Sequence, residues 1–225
     1  MGIFTPELFE FLAELADHND RAWFEANRHR YEDHVKQACF TFVEEVAGPL
    51  AGLSARFEAV PRIQGGSVFR IHRDTRFTKD PAPYRTSAAM RIGISGVGDV
   101  HTAGLYLSLE PGRSTTGAGF WKPSTAVAQR VRANIDARPD QWSGAVAALP
   151  PGLELMRVDS LVRAPKDYPA GHPFVDDLRL KSFVASGPLD DAAVLGDHFP
   201  EAWIGMVERA IPLLKFLCDA VDVDL

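Results

Sequence analysis

The chain has 225 residues, of which 46% are hydrophobic and 24% charged, with a formal net charge of −6; this composition excludes a disordered chain. A chain of this length buries about 70% of its unfolded surface, so a core forms without a disulfide or structural metal. The acidic total weighs against a non-specific nucleic-acid binder, because that class is basic overall.

The opening Met1 to Pro6 has no basic stretch and no apolar signal core. Pro6 stands where a myristoylation signal wants Ser or Thr. Thr5-Pro6-Glu7 instead opens a helix, with Thr at the cap, Pro in the first turn and an acid near the positive dipole end. Leu8, Phe11, Leu12 and Leu15 share its buried face. Asn19 or Asp20 caps a second, longer helix carrying Trp23, Tyr31, Ala38, Phe42 and Val46, which the sequence predicts to stop near Gly48-Pro49. The N-terminal quarter therefore reads as a helical hairpin.

The middle of the chain alternates. Val68 to His72, Ala89 to Ile94 and Leu105 to Glu110 show strand periodicity, and Thr115 to Trp121 reads as a returning strand after a Pro-Gly turn. Connections this short join antiparallel neighbours. Ser124 caps a helix with Val127, Val131 and Ile135, and Pro139 to Leu149 reads as another containing Trp142. Leu153 to Met156 and Ser182 to Ala185 read as strands around the Pro-rich loop Ala164 to Pro173. A last helix carries Trp203, Val207, Ala210, Leu214, Leu217 and Val221, with a kink expected at Pro212. The expected fold is α+β: one domain over 1–225, with a mostly antiparallel central sheet packed by the N-terminal helical hairpin and a C-terminal helix. No run approaches the roughly 18 apolar residues of a membrane span. Cys39 and Cys218 lie in apolar helical patterns without metal-ligand spacing and read as core thiols of a cytoplasmic protein.

Charge is distributed unevenly. Between Arg62 and Arg91 seven cationic residues face two acidic ones, giving +5, while the remaining 17 basic and 28 acidic residues give −11. Arg70, Arg73, Arg76, Lys79 and Arg85 on one strand and loop suit phosphate or carboxylate oxygens, because guanidinium forks match paired acceptors. Three readings follow: a site for a small anionic ligand, a non-catalytic surface docking an acidic partner or nucleic acid, and an Arg/Asp network that fastens the loop. Arg21 at a helix start and Trp121 after Gly117 and Gly119 extend the ligand reading; as bland alternatives, Trp23 and Phe24 are core anchors and the glycines a bulge or close packing. Phe57, Phe69 and Phe77 interleave with arginines as base-stacking residues do, although alternate strand phenylalanines are more often core.

Catalytic candidates are sparse. His72 and Asp74 share a strand face and Tyr84 supplies a hydroxyl, while Asp74, Asp80 and Glu110 are the carboxylates available to paired-acid chemistry. The cations around Asp74 favour its ionised form. No metal cluster, dinucleotide fingerprint, Walker sequence or nucleophile elbow appears, and no cofactor is expected. Nothing in the sequence sets the oligomeric state.

The run Arg70-x-x-Arg73-Asp74-Thr75-Arg76-Phe77-Thr78-Lys79-Asp80-x-x-Pro83-Tyr84 closely resembles the signature of the family catalogued as domain of unknown function 2461 (DUF2461). Asn19-Asp20-Arg21-Ala22-Trp23-Phe24, Gly117-Ala118-Gly119-Phe120-Trp121-Lys122-Pro123 and the segment Pro165 to Pro173 resemble its other motifs, in the same order. The chain departs from the family pattern at Pro81 and Arg85, where the family favours Lys, and at Ala22, where it favours Glu. The loss of a cation at Pro81 weakens that position as a ligand contact. The resemblance implies a fold and candidate positions, but no activity.

Overall fold

The computed structural model describes residues 2–76, 80–97 and 103–225. Helix α1 (Pro6–Asp17) buries Leu8, Phe11, Leu12 and Leu15, the predicted stripe. The second helix is not one piece. It runs as α2 (Arg21–Ala26), a single turn α3 (Arg28–Arg30), a π-helical segment (Tyr31–Lys36) and α4 (Gln37–Leu53). The π segment turns Tyr31 towards Phe11 and Phe24, with ring centroids 6.1 and 5.4 Å apart. Helix α4 also runs through Pro49 rather than stopping there. Proline removes one donor, but fully buried Leu50 anchors the last turn.

Strands β1 (Phe57–Glu58), β2 (Ala88–Ile94), β3 (Ala103–Leu109), β4 (Thr115–Phe120), β5 (Glu154–Leu155) and β6 (Phe183–Pro188) form one sheet in the order β1-β2-β3-β4-β6-β5. Every described pairing is antiparallel. The predicted strand Val68 to His72 makes only isolated bridges, Val68 to Met90 and His72 to Tyr84.

After the sheet's first half come α5 (Thr125–Ala137), capped by Ser124 accepting from the Val127 N–H, and α6 (Pro139–Ala147). Two short helices, α7 (Val175–Leu178) and α8 (Asp191–Val194), flank β6, and α9 (Phe199–Asp219) closes the fold, continuous through Pro212. Helix α9 is fixed to the sheet by a relay: the Trp203 indole N–H donates to the Thr116 hydroxyl at 2.9 Å, which donates to the Tyr106 carbonyl at 2.9 Å. It meets α4 through Phe42 and Trp203, with ring centroids 5.3 Å apart. The buried Arg132 donates to the carbonyls of Leu178 and Leu180 at 2.7 and 2.8 Å, which ties α5 to the chain entering β6. Buried residues from Phe4 to Val223 form one contiguous cluster.

The alternation of the strands gives the sheet two unlike faces. Met90, Ile92, Leu105, Leu107, Ala118, Phe120, Phe183 and Ala185 point into the core and are buried. Arg91, Gly93, Gly104, Tyr106, Gly117, Gly119 and Ser186 occupy the opposite face, by the same registers. No helix among the described residues is long and apolar enough to cross a membrane. Cys39 and Cys218 are buried free thiols, and burial pushes each up to about 12.

Candidate functional site

The arginine-rich segment folds as an arm beside β2. The Phe69 N–H donates to the Ala89 carbonyl at 2.9 Å and the Arg91 N–H to the Ser67 carbonyl at 2.7 Å. Further out, the Arg73 N–H reaches Pro83 and the Arg85 N–H reaches Ile71, both at 2.8 Å. The turn before α2 holds this arm. The Asn19 side chain donates to the Tyr84 carbonyl and accepts from the Tyr84 N–H, both at 3.0 Å, so its amide acts as one more rung of a ladder. Asp20 is therefore the cap of α2, accepting from the Trp23 N–H at 2.9 Å. Phe24 stacks on Tyr84 with centroids 4.1 Å apart, and His72 lies 5.0 Å from the Tyr84 ring. Burial and the Glu25 carboxylate push the Tyr84 hydroxyl above its ordinary range, opposed by Arg21 and Arg28. Of the sequence candidates, His72 and Tyr84 thus meet at this clamp, while Arg21, in the first turn of α2, acts on the Tyr84 hydroxyl through its charge.

The loop arginines divide. Arg73 pairs with Asp80, which also accepts from the Ala82 N–H. Arg76 grips Asp74 with two bonds of 2.9 and 2.7 Å and adds its backbone N–H. That guanidinium, helped by the backbone donor, holds the Asp74 carboxyl down to about 2, so it serves poorly as a general acid. Glu110 lies 3.6 Å from Arg113 and 3.4 Å from the Thr86 hydroxyl. Arg70 and Arg85 form no ion pair among the described residues; the Arg85 guanidinium lies over the Phe69 ring at 5.8 Å. Lys79 and Phe77 lie outside the described residues. Among the described residues, no three His, Cys, Asp or Glu side chains gather closely enough to hold a metal.

A second place was reached by the sequence only through Trp121 after Gly117 and Gly119. The outward face of the sheet forms a groove of about 490 Å³. Its floor is Gly104, Gly117 and Gly119, and its walls include Phe69, Arg91, Tyr106, Trp121, Met156 and Val184. Phe69, Tyr106 and Trp121 are 41%, 40% and 47% exposed, although they are large aromatics. Two of the glycines are required by the backbone: Gly104 and Gly119 have φ of +148° and +141°, and a Cβ would lie 2.1 Å from the carbonyl of Ile92 or Phe183. A more polar recess of about 650 Å³, which includes Glu58, Gln64 and Arg70, shares Phe69 and Arg91 with the groove. Trp121, a sequence candidate, belongs to the groove, far along the chain from the arm. The available signal was Tyr106, out of phase with Leu105, Leu107 and Leu109, opposite a glycine-rich strand.

The sequence model for "Conserved hypothetical protein (DUF2461)" matches residues 7–216. The chain belongs to the DUF2461 family. Searches of curated proteins and of solved structures found no match. The DUF2461 motifs now have physical content. The Asn19–Phe24 motif is the clamp on the arm, the Arg70–Tyr84 motif is the arm, and the Gly117–Pro123 motif is groove floor followed by groove wall. The segment ending at Pro173 is pinned by His172, which bonds Asp136 at 3.1 Å and accepts from the Phe174 N–H at 3.0 Å.

Proposed function

We propose that this protein binds a small organic anion, with its apolar body in the groove of the open sheet face and its acidic group towards the cations at the Phe69 edge. The observation that carries this reading is the set of three half-exposed aromatics around a glycine floor. Ligand sites are concave and mostly apolar with a few polar groups, as this groove is. Among the described residues its lining contains no Asp or Glu and one guanidinium, that of Arg91. Arg85 lies over Phe69, and the Lys122 ammonium lies 5.5 Å from the Trp121 ring centroid. Cations beside a groove whose described lining carries no acid, on a chain of net charge −6, favour an anion. A reducing cytoplasm suits the two buried thiols.

The test is thermal unfolding of wild type, Tyr106→Ala and Arg85→Ala against carboxylates, sugar phosphates and nucleotides. A ligand at about one hundred times its dissociation constant adds about 2.7 kcal/mol, which moves the midpoint by a few degrees. The expected result is a shift in wild type that shrinks in both variants. If no acid shifts wild type, the reading fails.

A further inference from the structure

Four outward positions at the centre of the sheet form a square. Gly104 pairs with Gly119 and Tyr106 with Gly117 across β3 and β4. Three of the four corners lack a side chain, and the fourth carries a tyrosine that is 40% exposed. Strands lie about 4.8 Å apart and alternate residues about 6.8 Å apart. The patch without side chains is therefore about the size of a fused ring pair; Gly117 and Gly119 lie buried at its base and Gly104 is half-buried. Phe69 stands against Tyr106 edge to face, with centroids 6.4 Å apart and planes at 64°. Trp121 follows Gly119 by two residues and lines the same groove.

From this we infer that the ligand is a flat aromatic acid, a conclusion that rests on the binding reading above. A rigid ring laid on the glycine patch contacts backbone below and the Tyr106 and Trp121 side chains beside it, and it loses no internal rotors on binding. A flexible chain of the same apolar area must freeze several torsions to lie in the same place, which costs affinity. Aromatic walls also favour offset or edge contacts with a π ligand beyond area burial. The acid follows from charge: the Arg85 guanidinium lies over the Phe69 ring at 5.8 Å, the Lys122 ammonium lies 5.5 Å from the Trp121 ring centroid, Arg91 sits beside Tyr106 in register and donates to the Ala103 carbonyl at 3.2 Å, and among the described residues no carboxylate lines the groove. Nucleotides and simple aryl carboxylates share this chemistry, a flat ring carrying an anionic group.

Calorimetric titration with 2-naphthoate, adenosine monophosphate, undecanoate and 2-naphthylmethanol separates these features. The expected result is 2-naphthoate, adenosine monophosphate or both bound at least about tenfold tighter than undecanoate and 2-naphthylmethanol, a gap of about 1.4 kcal/mol. The tighter of the two flat acids identifies the source of the anionic group. Tyr106→Ala should weaken that ligand about tenfold, Tyr106→Phe should retain it, and Val184→Trp, which fills the groove from β6, should abolish it. Undecanoate binding as tightly as the flat acids overturns the flat-ring inference and leaves the organic-anion reading intact. Equal binding of 2-naphthylmethanol overturns the acid. Binding of none of the four overturns both readings.

Discussion

The two faces of the same four strands obey different rules. On the inner face each alternate residue is buried: Ala88, Met90 and Ile92 on β2, Leu105, Leu107 and Leu109 on β3, Phe183 and Ala185 on β6. On the outer face the alternate residues are mixed: buried Ala89, Gly93, Gly117, Gly119 and Val184 beside half-buried Arg91 and Ser186 and the exposed ring of Tyr106. Burial of apolar surface explains the first set, since each such side chain contributes about 1.5–3 kcal/mol when removed from water. It does not explain why Phe69, Tyr106 and Trp121 stand in solvent around a glycine floor. Stability accounts for the inner face and for the outer glycines Gly104 and Gly119; the exposed rings are what the proposed anion site would account for.

The sharpest division between the faces should appear at Leu107, which is 1% exposed. Leu107→Ala should lower unfolding free energy by about 2–5 kcal/mol, read from urea titration with an unchanged slope. Gly119→Ala tests where the contrast breaks. Gly119 faces the groove, yet its φ of +141° and the Phe183 carbonyl 2.1 Å from an added Cβ make it a backbone requirement. Its replacement should cost about 1–3 kcal/mol despite touching no core side chain. A neutral result would mean that β4 relaxes easily, and the floor would lose its claim to be fixed.

The clamp at Asn19 comes next. Asn19→Ala leaves the Tyr84 N–H and carbonyl without their partners. The expected loss is about 1–3 kcal/mol, the usual penalty for orphaned, partly buried backbone groups. Hydrogen exchange should show the arm, and not the core strands, opening first. Global loss without local opening would show that the arm and core unfold as one unit.

Much of this fold was legible in the sequence because its signals are local. The strict alternation of Leu105 to Leu109 gave β3, and Ser124 marked the start of α5. The family motifs marked the segment that forms the arm, although its predicted strand makes isolated bridges. The unread parts depend on partners distant in the chain. Asn19 and Asp20 both favour helix caps, and only the position of Tyr84 shows that Asn19 clamps while Asp20 caps. Spacing likewise does not choose between Arg73 and Arg76 as the partner of Asp74; the loop's turn gives Asp74 to Arg76 and Asp80 to Arg73. The groove is assembled from β2, β3, β4, β6 and the arm, so no single window of sequence contains it. Trp121 was marked by its motif, whereas Tyr106, its counterpart on β3, reads locally as an ordinary exposed strand residue.

Tyr106 should reverse the Leu107 result. One residue away on the same strand, Tyr106→Ala should change unfolding free energy by no more than about 0.5 kcal/mol, as exposed positions do. It should nevertheless remove most of the ligand-induced shift in melting midpoint. A large stability loss at Tyr106 would make the outer face structural, and the contrast between the faces would collapse.

The smallest expected effect lies in the arm's loop, and it separates arginines committed to the protein from those facing solvent. Arg76 holds the Asp74 carboxyl at about 2 in the folded chain. A depressed folded value means that the pair's contribution is present above the unfolded value of about 3.9 and is lost as pH falls through about 2. The carboxylate is exposed, so screening keeps that contribution small and salt-dependent. Carboxyl NMR titration should find Asp74 well below ordinary aspartates, with Arg76→Ala returning it towards the usual range. An ordinary titration in wild type would mean that the pair does not persist in solution. The fastening of the loop would then rest on the pair of Arg73 with Asp80.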